Sequence, residues 1–311
     1  MKPRDVALAL LVVVLWGSNF TVIKVGLAEI PPLTLGVIRF ALVAIPGVFL
    51  VRPPALPVGK VIAFGWTMFT LQFALLFTGM HLGATAGIAS VVLQVQVFFT
   101  LMLAALFLGE KPTAWQIAGA VVAFGGIGYV AHHVGGDISA AGLSFIVAAA
   151  AAWGAGNVLA RKLGNVRMVA LVVWSSAAAL PPLLLLALML EDPIHVIGTA
   201  NRLSWMSYAA VAYIAYGSTL IPYSIWGRLL GRYRSGSVAP FTLLVPVVAM
   251  FVAALALHEP LQGWKFVAAA LVVSGLCLNV FGQRLATWVQ TIGARTIGRA
   301  RRRKLNPSTR D

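Results

Sequence analysis

Ten runs of about 18 to 22 mostly apolar residues succeed one another along this chain, each long enough to cross the hydrocarbon of a bilayer as an α-helix. They cover approximately residues 6–25, 33–51, 61–80, 85–108, 114–131, 140–160, 167–190, 204–227, 236–257 and 263–282. The breaks carry helix-stopping residues: Pro31-Pro32, Pro53-Pro54, Gly135-Gly136, Asp192-Pro193 and Glu259-Pro260. Loops this short leave no room for a second, soluble domain. Composition closes the soluble alternative: with 60% hydrophobic and 10% charged residues and a mean hydropathy of +0.93, the chain has too little polar surface to cover a globule of 311 residues. The expected fold class is an all-α membrane protein of ten transmembrane helices.

A net charge of +15 would point to a polyanion, nucleic acid first, in a soluble chain. Here the basic residues sit in short clusters between apolar runs and in the tail from Arg284, as loops held on the cytoplasmic side do. One set of alternate segments holds Lys2, Arg4, Arg52, Lys60, Lys111, Arg161, Lys162, Arg167, Arg228, Arg232 and Arg234, with the tail in addition. The other holds only Lys24 and Arg202, beside Glu29, Asp137, Glu191, Asp192 and Glu259. Both termini are therefore expected in the cytoplasm, with the chain in a bacterial inner membrane, lipid around it and no nucleic acid bound. Lys2 and Arg4 ahead of an apolar run resemble a signal peptide, but Trp16, Gly17, Ser18 and Asn19 replace a small-residue cleavage site, so the first run reads as an uncleaved helix. In the tail, Leu285, Val289 and Ile292 fall on one side and Arg284, Arg295 and Arg299 elsewhere, the pattern of an interfacial helix on anionic lipid. Cys277 is the single cysteine, so no disulfide framework or cysteine-based metal site is available, and no cofactor or metal is expected.

The chain also repeats itself. Trp16-Gly17 recurs as Trp153-Gly154, each near the middle of a run, with an Asn shortly after (Asn19, Asn157) and a basic residue eight positions after the Trp (Lys24, Arg161). Gly87, Glu110, Trp115 and Gly126 match Gly236, Glu259, Trp264 and Gly275 at one constant spacing. Five runs per copy mean that the second copy enters the membrane in the opposite sense, an architecture that gives carriers two nearly equivalent packings around a central site. The expected units are a first five-helix repeat over 1–135, an inverted second repeat over 136–282 and a basic cytoplasmic tail over 283–311.

The paired Trp-Gly starts, Ile38-Arg39-Phe40 in the second run and Leu108-Gly109-Glu110-Lys111-Pro112 closing the fourth are similar to the EamA family of the drug/metabolite transporter superfamily, over residues 5–282. The resemblance implies a carrier of small molecules, in a family that includes bacterial exporters of amino acids. The family often has a Pro thirteen residues before the Glu of each half. Pro246 keeps it and Val97 does not, with Gln94 and Gln96 nearby instead.

Polar and aromatic side chains at membrane depth need a reason. Phe69, Phe73, Phe77 and His81 follow at steps of four, which stacks them on one helical face either as a packing stripe or as the wall of a cavity with His81 at its external rim. Tyr213, Tyr216 and Tyr223 share a face in the same way. Gln94 and Gln96, two apart, do not point the same way on a regular helix, so at least one is expected to bond a neighbouring helix. Trp16, Asn19, Trp153 and Asn157 read equally as helix-packing glue or as substrate contacts. Arg39 reads first as satisfying carbonyls or snorkelling outward, and second as a carboxylate ligand. Glu110 and Glu259 stand at helix ends beside Pro and read as boundary or gate residues; no acid lies at mid-run, so proton coupling through a buried carboxylate is not expected.

The leading function is alternating-access export of small zwitterionic metabolites, most readily amino acids with aromatic or other apolar side chains. The candidate cargo contacts are Trp16, Asn19, Phe73, Phe77, His81, Gln94, Gln96, Trp153, Asn157, Tyr213 and Tyr216, in a monomer or weak dimer. Export of cationic drugs is weaker because no mid-run carboxylate balances the cation. A membrane-embedded enzyme would need a nucleophile with its base or a metal cluster, and His258-Glu259 lacks the second His of a zinc helix. A scaffold would have no use for inverted halves.

Overall fold

The computed structural model describes residues 1–135, 138–164, 166–192, 203–233 and 235–283, and all regular structure among them is helical. The expected amphipathic tail helix, Asp137 and Arg202 lie outside the described residues. Lipid offers no partner to a backbone N–H or C=O, so each apolar run closes its own hydrogen bonds as a helix. Nine described helices are long and apolar enough to cross a membrane: α1 Pro3–Gly26, α2 Pro32–Leu50, α3 Val58–His81, α4 Ala86–Leu108, α5 Ala114–His132, α6 Ala140–Leu163, α7 Met168–Leu190, α9 Pro240–Leu257 and α10 Gly263–Gln283. Between α7 and α9, the segments Trp205–Ala212, Tyr213–Leu220 and Ile221–Arg232 follow without a break and form α8, residues 205–232. Tyr208, Tyr213, Tyr216, Tyr223 and the hydroxyls of Ser207, Ser218, Thr219 and Ser224 make α8 more polar than the other nine.

Local chemistry sets the helix ends. Pro3 and Pro32 occupy first-turn positions where no N–H is needed. Thr113 and Gln116 form a reciprocal capping box on α5, and Ser139 caps α6. α4 stops at Gly109 with φ +68, a left-handed conformation that glycine adopts freely. The repeat-related position after α9 is His258, held at φ 54 despite its Cβ, and it delivers Glu259 next to it.

The two halves interlock instead of lying side by side. α1 packs on α9, α6 packs on α4, and α2 packs on α7. The Trp-Gly pairs explain the first two contacts. A Cβ at Gly17 would come within 2.7 Å of Val248, and one at Gly154 within 2.8 Å of Phe99, so each glycine admits the opposite half's broken helix at matching depth. Outward, Phe49, Phe107, Met189, Trp205 and Leu255 belong to a broad exposed apolar surface that only lipid would cover.

Candidate functional site

Asn19, Arg39, Gln72, Gln94 and Ser218, polar side chains buried at mid-helix, meet at one cavity shared by both halves, with an empty volume of about 690 Å3, mouth included. α1 contributes Trp16, Asn19 and Phe20, α2 Arg39, α3 Gln72, Phe73 and Leu76, and α4 Leu93, Gln94 and Gln96. From the second half come Trp153 of α6, Ser218 and Tyr223 of α8, and Thr242 and Val245 at the start of α9. Rings and amides dominate the wall, and no Asp, Glu or His lies among these lining residues.

Departures from regular α-helix aim these groups inward. α4 breaks at Gln94 and Val95, whose N–H groups reach back three residues to Val91 and Val92 in tightened turns. The change of phase lets both glutamines line the cavity and both bond other helices: Gln94 Nε2 donates to the Thr242 carbonyl at 3.2 Å, and Gln96 Oε1 accepts from Asn157 Nδ2 at 2.8 Å. In the second half, the 3-10 turn Ala239–Leu244 breaks the chain at the repeat-related depth, ahead of Pro246. The break therefore occurs with Val97 or with proline. α3 and α8 each contain a π-helical stretch, Trp66–Leu71 and Tyr213–Leu220, whose wider turns displace the residues beyond them.

Those stretches sort the two aromatic stripes. Phe69 and Phe77 are fully buried in the core, and only Phe73 of the stripe lines the cavity. Phe77 packs edge-on to Phe73 at 5.5 Å. On α8, Tyr213 donates to the Leu15 carbonyl and lies 2.6 Å from Ser18 Oγ, while Tyr216 donates to the Leu42 carbonyl with 38% of its surface exposed. Neither lines the cavity; Tyr223 does, edge-on to Trp16 at 5.8 Å. Asn157 stands one layer behind the wall, on Gln96 and Thr100. His81 is exposed on the rims of two outer clefts, away from the central cavity. Six of the eleven candidate cargo contacts thus meet at the wall, Trp16, Asn19, Phe73, Gln94, Gln96 and Trp153, and Arg39 and Tyr223 join them there.

Arg39 departs most from its sequence reading. It neither snorkels nor reaches a carbonyl: it is 2% exposed, its guanidinium carbon sits 4.0 Å over the Phe73 ring, and Nη2 donates to Thr219 Oγ1 at 2.8 Å. Gln72, buried at 1% exposure, was missed because a single amide in an apolar run carries no periodic signal.

The two ends of the bundle are bridged differently. At the end opposite the N-terminus, here the far end, carboxylates cross between halves to cap helix starts. Glu259 accepts from the N–H groups of Ala86 and Gly87 (2.7 and 3.1 Å), and Glu191 from Leu33 N–H, Thr34 N–H and Thr34 Oγ1 (2.6, 2.9 and 2.6 Å). Glu29 accepts from Ser204 N–H at 2.9 Å and Ser207 Oγ at 2.7 Å, and these bonds hold its carboxyl below the ordinary glutamate value. Lys24 Nζ ties the end of α3 through the carbonyls of Met80 and Ala84. At the near end, Glu110 pairs with Arg161 at 2.9 Å, both about half exposed.

The EamA-like transporter family matches residues 4–131 and again 140–281. The chain belongs to this family. It is 41% identical over 290 residues to a probable amino-acid metabolite efflux pump of Escherichia coli, covering 91% of this chain and 97% of that one. A probable amino-acid metabolite efflux pump of Salmonella typhimurium is 40% identical over 299 residues, covering 94% and 100%. A probable terminal-alkyne amino-acid exporter of Streptantibioticus cattleyicolor is 30% identical over 305 residues, covering 94% of each chain. A crystal structure matches 92% of this chain and 99% of its own with a TM-score of 0.62 at 18% identity, which establishes the shared fold. This EamA-family protein is thus a multi-pass membrane transporter with two family repeats, not an enzyme.

Proposed function

We propose that this transporter exports small amino-acid-like metabolites across the bacterial inner membrane by alternating access, with the central cavity as its cargo site. The reading takes α1–α10 as ten spans in two inverted five-helix halves, both termini in the cytoplasm and the far end outside. The observation that carries it is the cavity itself, built at mid-helix by both halves from rings for an apolar side chain and amides for a polar head. The names borne by the relatives at 41% and 40% identity add the chemical class. The far-end caps and the separate Glu110–Arg161 pair support a form closed to the outside. Asn19, Phe73, Gln94, Gln96, Trp16 and Trp153 form the contact set, with Phe77 and Asn157 behind them. With Arg39 and no acid among the lining residues, the cavity disfavours cationic drugs.

Uptake of radiolabelled amino acids into liposomes holding the pure protein tests this reading. Leu, Met or Phe should move down its gradient with no proton gradient imposed, and Phe73→Ala and Trp153→Ala should each change the half-saturating concentration several-fold. If none of the twenty amino acids enters faster than into empty liposomes, the reading is wrong.

A further inference from the structure

Arg39 is the only charged residue among those lining the cavity, and its charge is not balanced there. Nη2 is used on Thr219 and the guanidinium face on Phe73, but Nε and Nη1 are buried with no acceptor. Gln72 Nε2, on the same wall, is likewise buried and without an acceptor. Holding a guanidinium at this depth with two N–H groups unmet is costly, and a helix that merely needed to pack would carry an apolar residue there. These orphan atoms are all donors. What they lack is an anionic oxygen group, and a carboxylate brings about four lone-pair sites. The orphan acceptor of the cavity, Asn19 Oδ1, is neutral.

We propose that Arg39, assisted by Gln72, is the receptor for a carboxylate on the cargo, so that a free carboxylate is the group every substrate must carry while an amine is dispensable. This rests on the central cavity being the cargo site and narrows what it admits. The carboxylate completes the hydrogen bonds of Arg39 and neutralises it, so the loaded cavity is better satisfied than the empty one. An amine adds a bond to the neutral Asn19 without balancing any charge. Amino acids are then one case of a wider class of small apolar carboxylates.

The test is thermal unfolding of the purified full chain in detergent with three sets of probes. The first is L-leucine, L-methionine and L-phenylalanine; the second their carboxamides; the third the matching deaminated acids. Free and deaminated acids should raise the unfolding midpoint, and the carboxamides should act at least about tenfold more weakly, since charge-assisted bonds are lost. Arg39→Met should abolish the response to acids, yet without ligand it should unfold at or above the wild-type temperature, because an unmet buried charge is gone. Carboxamides equal to acids would overturn the inference and leave the cavity as the cargo site. Unliganded Arg39→Met unfolding well below wild type would make Arg39 a structural residue and overturn it too. No response to any probe set would remove the cargo reading, and this inference with it.

Discussion

Glu259 and Glu110 are the same residue of two copies of one repeat, yet they bridge the two ends of the bundle differently. Glu259 is inserted at the start of α4, where two backbone N–H groups and the positive end of a helix receive it. Glu110 lies across a half-exposed ion pair with Arg161. Their basic partners match as well: Lys24 and Arg161 each follow the Trp of their copy by eight residues, but Lys24 holds carbonyls of α3 while Arg161 holds Glu110 directly. A shared sequence pattern thus sits in two arrangements within one molecule. A carboxylate capping a buried helix start resists opening; a solvated ion pair hardly does.

The largest test of this contrast is Glu259→Ala. It leaves the N–H groups of Ala86 and Gly87 without their acceptor and should weaken the contact between halves at the far end by about 2–3 kcal/mol. In liposome-inserted protein carrying Asn19→Cys and Cys277→Ala, labelling by an impermeant maleimide from the far side should rise roughly thirtyfold or more. Unchanged labelling would show that the cap does not hold that end shut. Glu191→Gln should act in the same direction by about 1–2 kcal/mol, because the amide keeps one acceptor for the start of α2 but loses the charge. At the near end, Arg161→Gln should lower stability by less than about 1 kcal/mol. If it lowers the unfolding midpoint as much as Glu259→Ala does, the two ends are equivalent and the comparison fails.

Glu29 sharpens the contrast through pH. Its hydrogen bonds from Ser204 and Ser207 depress its carboxyl below the reference value of 4.5, so the stability it adds is complete above that value and is lost as pH falls through the lower, folded one. Far-side labelling should therefore be insensitive to this group between pH 6 and pH 8, about the usual assay range, and rise only in acid well below 4.5. Glu29→Gln should remove that acid-dependent step, because the amide lacks the charge at every pH, and its far-side labelling at neutral pH should already match the level that wild type reaches in acid. A rise near pH 6 in wild type that Glu29→Gln removes would contradict the assigned hydrogen bonds.

Much of the architecture was legible because lipid makes sequence informative. A run of apolar residues in a medium without hydrogen-bond partners has to be a helix, so the spans, their Pro and Gly stops and the duplication could be read directly. Gly17 and Gly154 marked two real close approaches, and Trp16, Asn19, Phe73, Gln94, Gln96 and Trp153 reach the cavity wall as residues of a kind that needs a reason at that depth. Stepping along a regular helix failed where the helix is not regular. The π-helical stretches of α3 and α8 and the tight turn of α4 shift the phase, sending Tyr216 to the outer surface, Tyr223 to the cavity and both glutamines to the same wall.

What the chain order alone determined is the set of helices and their pairing by repeat, because both follow from local polarity and from residue identity at fixed spacing. Only the tertiary structure decided which polar groups find partners. Arg39 reads in the sequence as an isolated exception within an apolar run and Gln72 gives no signal there, and whether such a group is satisfied depends on helices far away in sequence: Thr219 lies 180 residues from the arginine it binds. The same holds for Glu259, whose receiving N–H groups lie 173 and 172 residues away and whose copy, Glu110, found a different partner. Backbone needs are met within a helix, so sequence reports them; side-chain needs in a membrane are met between helices, and only packing settles them.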